Sequence, residues 1–471
     1  MKKTKIICTV GPASRDIRVM EKMIAAGMNV MRLNFSHGTY EEHQQFIENL
    51  RLLREKTGEH VAVMLDTKGP EIRTGDFPEP VFLEQGSSYI LTPQEVPGDK
   101  GRCFVTYPEL ARDVSPGSRI MIDDGLIEMK VEAVEGEDIR CIVINSGTIG
   151  SHKGINLPGV RTHLPAITEK DRADLIFGVE NGVDFVAASF VRKAEDVRQI
   201  RQILDENGGK EVQIIAKLEN QEGVENMEEI LAEADGLMVA RGDLGVELPP
   251  EQIPLIQKRI IRACNRAGKP VITATQMLDS MVRNPRPTRA EVGDVCNAIL
   301  DGTDCVMLSG ETAAGKYPVE AVEMMATIAV STEKAQDYGE LLEKNKEYQD
   351  DDVTGAIGYA TCTAAVNLKA KAIVTASSSG FAGRMVAKFR PKAPIIVSVT
   401  NEVTARRMAL TWGAYPVIIP AYDDAETVFR ESIAAAEKDA DWIRPGDIVI
   451  FTAGFPFGKS GSTNMMKVHK I

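Results

Sequence analysis

Two pairs of charged residues, Lys217 with Glu219 and Arg241 with Asp243, each come directly after a short apolar run. Residues two apart in an extended chain face the same way, so the members of each pair are expected to share a face. If the two runs are neighbouring strands, the carboxylates of Glu219 and Asp243 can converge on one hard cation. Lys217 beside them would then act on the anion that the cation holds.

The apolar runs before these pairs predict a strand–helix–strand unit. Ile214–Ala216 and Leu237–Ala240 have the length of buried strands, and a helical pattern over residues 222–233 separates them. This spacing is typical of a βαβ unit, whose parallel strands lie about 4.8 Å apart when adjacent. Two surface salt bridges at strand ends are the alternative, which is weakened because similar polar clusters recur along the chain.

Polar side chains also follow other predicted strands. With the two pairs, six strand ends carry Arg32, Asn34 and Ser36; Asp66, Thr67 and Arg73; Lys217 and Glu219; Arg241 and Asp243; Thr275; and Ser309 and Glu311. Two carboxylates suit Mg²⁺, which completes its shell with substrate oxygens and water. The cations suit phosphate or carboxylate oxygens. The oxygen ligands that suit a large monovalent ion are Asn34, Ser36, Asp66 and Thr67. Together these residues predict a site that moves a highly charged group.

Eight predicted strands, each followed by a helix, indicate the fold class. They begin near residues 5, 30, 61, 184, 212, 237, 271 and 305. This α/β pattern predicts a (β/α)8 TIM barrel, in which the carboxyl ends of the strands carry the chemistry. An open doubly wound sheet is the alternative architecture.

The remaining chain predicts two further domains. Helical periodicity fades over residues 70–166, where short alternating runs indicate an inserted β-barrel-like lid domain after the third strand. The barrel would then comprise residues 1–69 and 167–340, and a C-terminal α/β regulatory domain residues 341–471. The polar stretch Glu340–Asp352 is interpreted as a linker. Strands of the C-terminal domain are predicted at Ile373–Thr375, Ile395–Val399, Val417–Ile419 and Ile448–Phe451.

Composition excludes several functional classes. The 471-residue chain has a net charge of −13, which disfavours general binding to nucleic acid or anionic membranes. Its seven cysteines are scattered without a C-x-x-C pair, a pattern that suits a reducing compartment. Neither a signal peptide nor a run of about 18 apolar residues is expected. We therefore predict a cytoplasmic protein without nucleic-acid or membrane partners.

Longer stretches of the sequence resemble one enzyme family. The runs MNVMRLNFSHG, LDTKGPEIRTG, HKGINLPGV, KLENQEG, MVARGDLGVE, ITATQMLDSM, NPRPTRAE and MLSGETAAGKYP are similar to those of pyruvate kinases, in order and over almost the whole chain. The resemblance implies the same three-domain plan and a homotetramer. It also implies transfer of the phosphoryl group of phosphoenolpyruvate to ADP, which gives pyruvate and ATP in the final step of glycolysis.

Matching motif positions imply roles for individual residues. The implied catalytic residues are Lys217, Arg32 and Thr275, and the substrate-binding residues are Arg32, Lys217, Gly242, Asp243 and Thr275. The implied nucleotide-binding residues are Asn34, His37, Arg73 and Lys153. Glu219 and Asp243 would hold Mg²⁺ or Mn²⁺, and Asn34, Ser36, Asp66 and Thr67 would hold K⁺. Family members with Glu at the position of Glu71 resemble the kind that requires K⁺, while those with Lys there supply the charge internally.

Alternatives to this function differ in the residues that they need. Another barrel enzyme that handles phosphoenolpyruvate or pyruvate, such as a metal-dependent lyase or mutase, has no need for the insert, Arg73 or Lys153. An inactive regulatory relative would be expected to lack Lys217 or a metal carboxylate. Ser309 and Glu311 are left out of the catalytic set because they are expected to close the barrel end. His37 is open between the nucleotide and a cap for the following helix.

The C-terminal domain contains a serine-rich loop ahead of a predicted helix. In relatives that a sugar bisphosphate activates, a similar loop holds a phosphate, and Ser377, Ser379 and Gly380 occupy the matching positions. The two residues after Gly380 are apolar where such relatives often carry polar groups. We therefore expect a phosphorylated allosteric effector with one phosphate, such as a sugar monophosphate or AMP, rather than fructose 1,6-bisphosphate. A turn that caps the helix without a ligand is the alternative.

Overall fold

A closed barrel of eight parallel strands forms the centre of the computed structural model, which describes residues 2–422, 424–440, 443–455 and 463–471. The first strand pairs with both the second and the eighth, so that Ile7 lies between Val30 and Met307. The (β/α)8 prediction is confirmed and the open-sheet alternative is excluded. The barrel strands, in chain order, are Lys5–Thr9, Val30–Asn34, Ala62–Asp66, Phe185–Ala188, Gln213–Leu218, Gly236–Ala240, Val271–Ala274 and Cys305–Leu308.

Apolar side chains bury both faces of the barrel strands. Phe185 and Ala187 belong to the cluster inside the barrel, whereas Val186 and Ala188 pack against the surrounding helices. Strands that are buried on both faces appear as continuous apolar runs in the sequence, which is why all eight could be located. The longer surrounding helices are Ile17–Ala26, Tyr40–Thr57, Glu169–Glu180, Ala194–Glu206, Ile253–Ala267, Arg289–Asp301 and Pro318–Ala335.

The segment between the fifth and sixth barrel strands differs from the single predicted helix. It forms two helices, Gln221–Glu225 and Met227–Glu233, which meet at Asn226. The backbone of Asn226 has φ −92° and ψ 13°, outside the α-helical region. Its side chain donates a hydrogen bond to the carbonyl oxygen of Arg192 (2.8 Å). The break in the helix therefore ties this segment to the loop after the fourth strand.

The chain after the sixth strand is helical rather than extended. Helix Arg241–Glu247 begins directly after Ala240. Residues two apart in a helix point in different directions. The prediction that Arg241 and Asp243 share one face is therefore wrong.

The chain between the third barrel strand and helix Glu169–Glu180 forms a mixed β-structure with its own apolar core. One sheet contains, in spatial order, Ile72–Arg73, Gly154–Asn156, Arg119–Ile122, Ile127–Glu135, Asp138–Val143, Ser88–Thr92 and Arg102–Phe104. A second sheet pairs Val81–Leu83 with Gly147–Ile149, and one short helix spans Leu110–Asp113. The β-rich insert is thus present, while its boundaries at residues 70 and 166 stay a prediction.

The C-terminal region contains a five-stranded sheet flanked by helices. Its strands, in spatial order, are Ala414–Ile418, Ile395–Val399, Ala372–Ala376, Ile448–Ala453 and Met465–Lys470. The last strand is antiparallel to its neighbour and is absent from the sequence prediction, because this half-exposed edge strand lacks a strong apolar run. The flanking helices are Val353–Asn367, Phe381–Ala387, Glu402–Arg407 and Ala425–Ala440.

The stretch interpreted as a linker is mostly helical. It contains the end of helix Tyr338–Lys344 and the 3-10 turn Asn345–Tyr348. Leu342 and Tyr348 are buried in the apolar core of the C-terminal region. The linker prediction is therefore wrong. The sequence pattern did not reveal these two buried residues because charged residues outnumber them in the stretch. In the described part of the chain, no helix combines the length and the apolar character that crossing a membrane requires.

Candidate active site

The carboxyl ends of the barrel strands bring Lys217 together with three acceptors. Its Nζ lies 3.0 Å from Asp66 Oδ1, 2.8 Å from Ser189 Oγ and 3.0 Å from Glu219 Oε1. Burial opposes the charge of Lys217, but the carboxylates of Asp66 and Glu219 outweigh burial and raise its pKa above the ordinary value. The site therefore contains a fixed, buried positive charge.

Asp66 joins Lys217 to Arg32. The Nε of Arg32 donates to Asp66 Oδ2 (2.7 Å), and its Nη1 donates to the Oγ1 of Thr9 (2.8 Å). Burial would raise the pKa of Asp66, but the charges of Arg32 and Lys217 hold that pKa below its ordinary value. Asp66 thus stays ionised and orients both cations toward the barrel mouth.

Glu219 and Asp243 provide two acidic groups beside Lys217. Glu219 is only 2% exposed, and its Oε2 accepts a hydrogen bond from the N–H of Phe190 (2.6 Å). Burial and the neighbouring Glu219 carboxylate raise the pKa of Asp243 to about 7. Because the Glu219 carboxylate disfavours the charge of Asp243, the pair fits a divalent cation, which would remove this repulsion.

A divalent cation would need ligands beyond these two carboxylates. Among the described residues, no three His, Cys, Asp or Glu side chains are grouped closely enough to hold a metal ion. Mg²⁺ commonly binds through one or two carboxylates and fills its remaining positions with water and substrate oxygens. The donor set of Glu219 and Asp243 therefore fits a cation that binds together with a phosphorylated substrate.

Thr275 and Gly242 contact each other at the ends of the seventh and sixth strands. The N–H of Gly242 donates to Thr275 Oγ1 (2.8 Å), and that hydroxyl donates to the carbonyl oxygen of Ala274 (2.6 Å). Thr275 has φ 68°, in the left-handed region that is rare for a β-branched residue. Such backbone strain is found where surrounding structure fixes a functional side chain.

Arg241 does not share the site with Asp243. Its guanidinium donates to the carbonyl oxygens of Ala274 (3.0 Å) and Thr275 (2.7 Å) and forms an ion pair with Asp294 (2.7 Å). Arg241 therefore fixes the loop after the seventh strand, including the strained Thr275.

The four oxygen-bearing residues predicted to hold K⁺ lie at the ends of the second and third strands. Asn34 Oδ1 accepts the N–H of Ser36 (3.1 Å), and Thr67 Oγ1 accepts the N–H of Ser189 (3.0 Å). Asp66 is the charged member of this set. Each carboxylate oxygen has two lone pairs, so the ion pairs of Asp66 leave acceptor capacity for a monovalent cation.

A cleft of about 640 Å³ separates the insert from the barrel mouth. Arg73, Lys153, Asp243 and Glu247 are among the residues that line it. Asn156 of the insert donates to Glu247 Oε1 of the barrel across this cleft (3.2 Å). The cleft is large enough for a nucleotide-sized ligand.

The two cations that the sequence predicts for the nucleotide both lie on the insert side of this cleft. Lys153 Nζ pairs with Asp123 (3.0 Å), and Arg73 Nη1 donates to the carbonyl oxygen of His152 (2.7 Å). Both side chains remain partly exposed, at 39% for Lys153 and 34% for Arg73. Arg73 also pairs with Glu71 (2.6 Å), and both cations are accessible to an anionic ligand in the cleft.

Comparisons with known proteins match both ends of this architecture. The family model of the pyruvate kinase barrel domain matches residues 1–322, and that of the pyruvate kinase alpha/beta domain matches residues 355–469. The chain belongs to the pyruvate kinase family. It is 53% identical over 473 residues to the pyruvate kinase of Geobacillus stearothermophilus, with all of this chain and 80% of that protein aligned.

Two further pyruvate kinases show the same degree of similarity. That of Clostridium acetobutylicum is 50% identical over 473 residues, which cover both proteins completely. That of Staphylococcus saprophyticus is 51% identical over 474 residues, with all of this chain and 81% of the relative aligned. The resemblance inferred from the motifs is therefore confirmed.

Two polar residues at the mouth of this pyruvate kinase barrel are missing from the set predicted from sequence. Ser189 follows the fourth strand and accepts a hydrogen bond from Lys217, and Thr9 ends the first strand and accepts one from Arg32. The prediction used six of the eight strand ends and left out these two. Applying the same rule to every strand would have found both residues.

Glu311 closes the end of the barrel, as expected from the sequence. It is 3% exposed and accepts the N–H groups of Leu278 (3.0 Å) and Ser309 (2.8 Å). Its carboxylate is thus occupied by the backbone of two loops.

His37 is exposed and does not line the cleft. Thr39 rather than His37 caps helix Tyr40–Thr57, through the N–H of Glu42 (3.3 Å). The alternative in which His37 caps this helix is therefore wrong. Its assignment to the nucleotide stays a prediction.

The serine-rich loop of the C-terminal region ends at Gly380, whose φ of 75° precedes helix Phe381–Ala387. Ser377 Oγ accepts the N–H of Ala382 (3.4 Å), and the Ser379 carbonyl oxygen accepts a hydrogen bond from Arg384 (3.3 Å). A loop fixed by such contacts is compatible with both the effector hypothesis and the capping alternative.

Proposed function

We propose that this chain transfers the phosphoryl group of phosphoenolpyruvate to ADP at the barrel mouth, with Lys217 stabilising the group in flight. The observation that carries the proposal is the buried ammonium of Lys217, fixed at 2.8–3.0 Å from Asp66, Ser189 and Glu219. Phosphoryl transfer depends on positioning and charge stabilisation more than on covalent chemistry. A fixed buried cation supplies this stabilisation without a nucleophilic side chain.

Arg32 provides a second positive charge for the phosphoryl group. Two of its N–H donors are used by Asp66 and Thr9, and a guanidinium has five. The remaining donors are available for phosphate oxygens. Because Asp66 also pairs with Lys217, the two cations are held in a fixed relation to each other.

Glu219 and Asp243 are the residues that would hold Mg²⁺ or Mn²⁺. When bound, such an ion neutralises negative charge that develops on substrate oxygens. The burial of Asp243 and the repulsion that Glu219 exerts on its charge support this assignment. We assign K⁺ to the oxygen-bearing set of Asn34, Ser36, Asp66 and Thr67, where Asp66 supplies the negative charge.

Gly242 and Thr275 would bind the carboxylate of phosphoenolpyruvate. The N–H of Gly242 would exchange Thr275 Oγ1 for a substrate oxygen, and the Thr275 hydroxyl would turn from the Ala274 carbonyl toward the substrate. Once the phosphoryl group has left, the remaining enolate takes up a proton at carbon to give pyruvate. Thr275 would lie near that carbon, and its fixed left-handed backbone supports a positioning role there.

ADP would occupy the cleft between the barrel and the insert, where Arg73 and Lys153 face it. Closure of the insert as a lid would bring Lys153 onto the nucleotide and exclude water from the transferred group. The partly exposed ion pair of Lys153 with Asp123 supports this role.

The C-terminal region would regulate the enzyme through its serine-rich loop, and we propose a homotetramer by family resemblance. Ser377, Ser379 and Gly380 would hold the phosphate of a monophosphorylated effector. We expect such an effector to lower the phosphoenolpyruvate concentration at half-saturation, and Ser379→Asp to abolish this response by repulsion. An unchanged response in Ser379→Asp, or no response of the wild type to any phosphorylated metabolite, would place the effector elsewhere or exclude it.

Pyruvate formation from phosphoenolpyruvate and ADP, coupled to a pyruvate-consuming reporter, tests the proposed reaction. We expect equal amounts of pyruvate and ATP, and a requirement for a divalent cation. Pyruvate without ATP, or a phosphoenolpyruvate rearrangement independent of ADP, would favour the lyase or mutase. An absence of turnover would favour an inactive relative.

A further inference from the structure

We propose that the loop Ser189–Arg192, with Arg192 as its positioning residue, couples closure of the insert to the geometry of Lys217 and Glu219. The inference rests on the proposed function, because it concerns how the lid and the phosphoryl-transfer site act together. The loop joins the fourth barrel strand to helix Ala194–Glu206. It contacts Lys217 and Glu219. It also contacts the two segments where the chain crosses between barrel and insert: the outgoing crossing at Gly69 and the returning crossing at residues 162–164.

One end of the loop contacts the site directly. Ser189 Oγ lies 2.8 Å from Lys217 Nζ, and the N–H of Phe190 donates to Glu219 Oε2 (2.6 Å). Phe190 has φ 55°, a left-handed backbone conformation that is unfavourable for a bulky residue. This strained conformation aims the Phe190 N–H at Glu219, so a shift of the loop would change the positions of both charged groups.

The outgoing crossing into the insert packs closely on the same two residues. A Cβ atom at Gly69 would lie 2.7 Å from Phe190 Cδ2 and 2.9 Å from Ser189 Cβ. Gly69 also has φ +73° and donates its N–H to Asp171 (2.9 Å). Glycine is needed here for both its conformation and its size, and movement of this crossing is therefore transmitted to the loop by direct contact.

Arg192 binds the returning crossing. Its Nη2 donates to the carbonyl oxygen of Leu164 (2.6 Å), and its Nη1 donates to the carbonyl oxygen (3.2 Å) and the Oγ1 (3.1 Å) of Thr162. The Arg192 side chain is 11% exposed. A planar guanidinium can satisfy several carbonyl groups at once, whereas a lysine ammonium cannot reproduce this fork.

The residue between Thr162 and Leu164 is His163, which is hydrogen-bonded to the insert. The His163 N–H lies 3.0 Å from Asp113 Oδ2, and its Nδ1 lies 2.6 Å from Asp113 Oδ1. Asp113 belongs to the insert and its side chain is fully buried. Segment 162–164 is therefore hydrogen-bonded to the barrel through Arg192 and to the insert through Asp113, which makes it a connection between the two.

Arg192 is also fixed on the barrel side. Its N–H donates to Asp196 Oδ2 (2.9 Å), and its carbonyl oxygen accepts from Asn226 (2.8 Å). The backbone of Arg192 is thus held in place while its side chain follows the crossing. Opening or closing of the insert would act on the loop through this side chain and, at the other end, change the support of Lys217 and Glu219.

Steady-state kinetics of Arg192 and Lys153 variants test the coupling. We expect Arg192→Gln to lower kcat about tenfold or more, as for a small misplacement of reacting groups, and to raise KM for ADP more than KM for phosphoenolpyruvate. Arg192→Lys should recover part of kcat, because it keeps the charge but contacts fewer acceptors. The matched control is Arg198→Gln in the following helix, an exposed residue that pairs with Glu195 and Glu233, and it should leave all three constants unchanged.

A double variant separates coupling from a merely structural role. Lys153→Ala removes the lid's contact with the nucleotide. If Arg192 acts through lid closure, adding Arg192→Gln to the Lys153→Ala variant should lower kcat by less than about twofold. Independent effects that multiply in the double variant would overturn the proposal, as would wild-type kinetics in Arg192→Gln. Should Arg192→Gln fail to fold, the same cycle is run with Arg192→Lys, for which a smaller loss and the same non-additivity are expected. A wild type that forms no pyruvate would refute the proposed function instead.

Discussion

Glu71 Oε2 lies 2.6 Å from Nη2 of Arg73 at the start of the insert, beside the cleft proposed for the nucleotide. Lys68 Nζ lies 3.9 Å from the same oxygen. Glu71 therefore balances two cations on the nucleotide side of the site. A change of charge at Glu71 would therefore alter the local net charge, which a bound monovalent cation also affects.

We predict that activity falls sharply when K⁺ is replaced by Na⁺ or a bulky ammonium, and that Glu71→Lys reduces this dependence. The introduced ammonium would supply internally the charge that K⁺ provides. Glu71→Gln is the matched control, since it breaks the pair with Arg73 without adding a cation, and it should stay dependent on K⁺. Initial rates in K⁺ and in K⁺-free buffer check this, and equal wild-type rates in both would contradict it.

Binding of a divalent cation should depend on pH through Asp243. Because its pKa is raised to about 7 by burial and by Glu219, a proton and the cation compete for the site near neutrality. We expect the apparent Kd for Mn²⁺ to rise about tenfold for each pH unit below 7. Titrations with Mn²⁺ at pH 6 and pH 8 measure this, and Asp243→Asn should bind weakly at both. Equal wild-type affinity at the two values would count against the assignment.

The same shift predicts the pH dependence of stability without metal. The pKa of Asp243 is higher in the folded state than in the unfolded state, so the folded state binds the proton more tightly. Its contribution to the free energy of unfolding therefore falls as pH rises from about 4 to about 7, and levels off above that range. In urea unfolding over this range, the free energy of unfolding should therefore fall more steeply with rising pH in the wild type than in Asp243→Asn. A contribution that rises with pH would contradict the shift.

Lys153→Ala should raise KM for ADP more than KM for phosphoenolpyruvate. Lys153 lies on the insert and pairs with the replaceable carboxylate of Asp123 in the cleft, so its loss removes a cation from the nucleotide side. Lys130→Ala, an exposed lysine on the same insert, should change neither constant. A larger effect on phosphoenolpyruvate would speak against a lid that acts on the nucleotide.

The sequence was sufficient to predict the barrel because its strands are apolar on both faces and end in polar residues. The same regularity located Lys217, Glu219 and Asp66 correctly at the mouth. It could not predict that Arg241 turns away into a helix, since the extended-chain rule no longer holds once a strand ends.

The sequence patterns also could not predict contacts between segments that are distant in the chain. Arg192 carries no signal of its own, because its importance depends on where the returning chain passes at Leu164. Likewise, the burial of Leu342 in a stretch of mostly polar residues depends on the surface against which the stretch packs. Such relations become visible only when the whole fold is assembled.

The most direct test of the central role given to Lys217 is single-turnover phosphoryl transfer by Lys217→Met. Methionine keeps the length and volume of the buried stem but removes the charge that Asp66 and Glu219 surround. We predict normal folding, retained binding of phosphoenolpyruvate with Mg²⁺, and a loss in the rate of ATP formation of at least ~10²-fold, as for removal of one preorganised transition-state contact. A Lys217→Met enzyme that forms ATP at the wild-type rate would contradict this account.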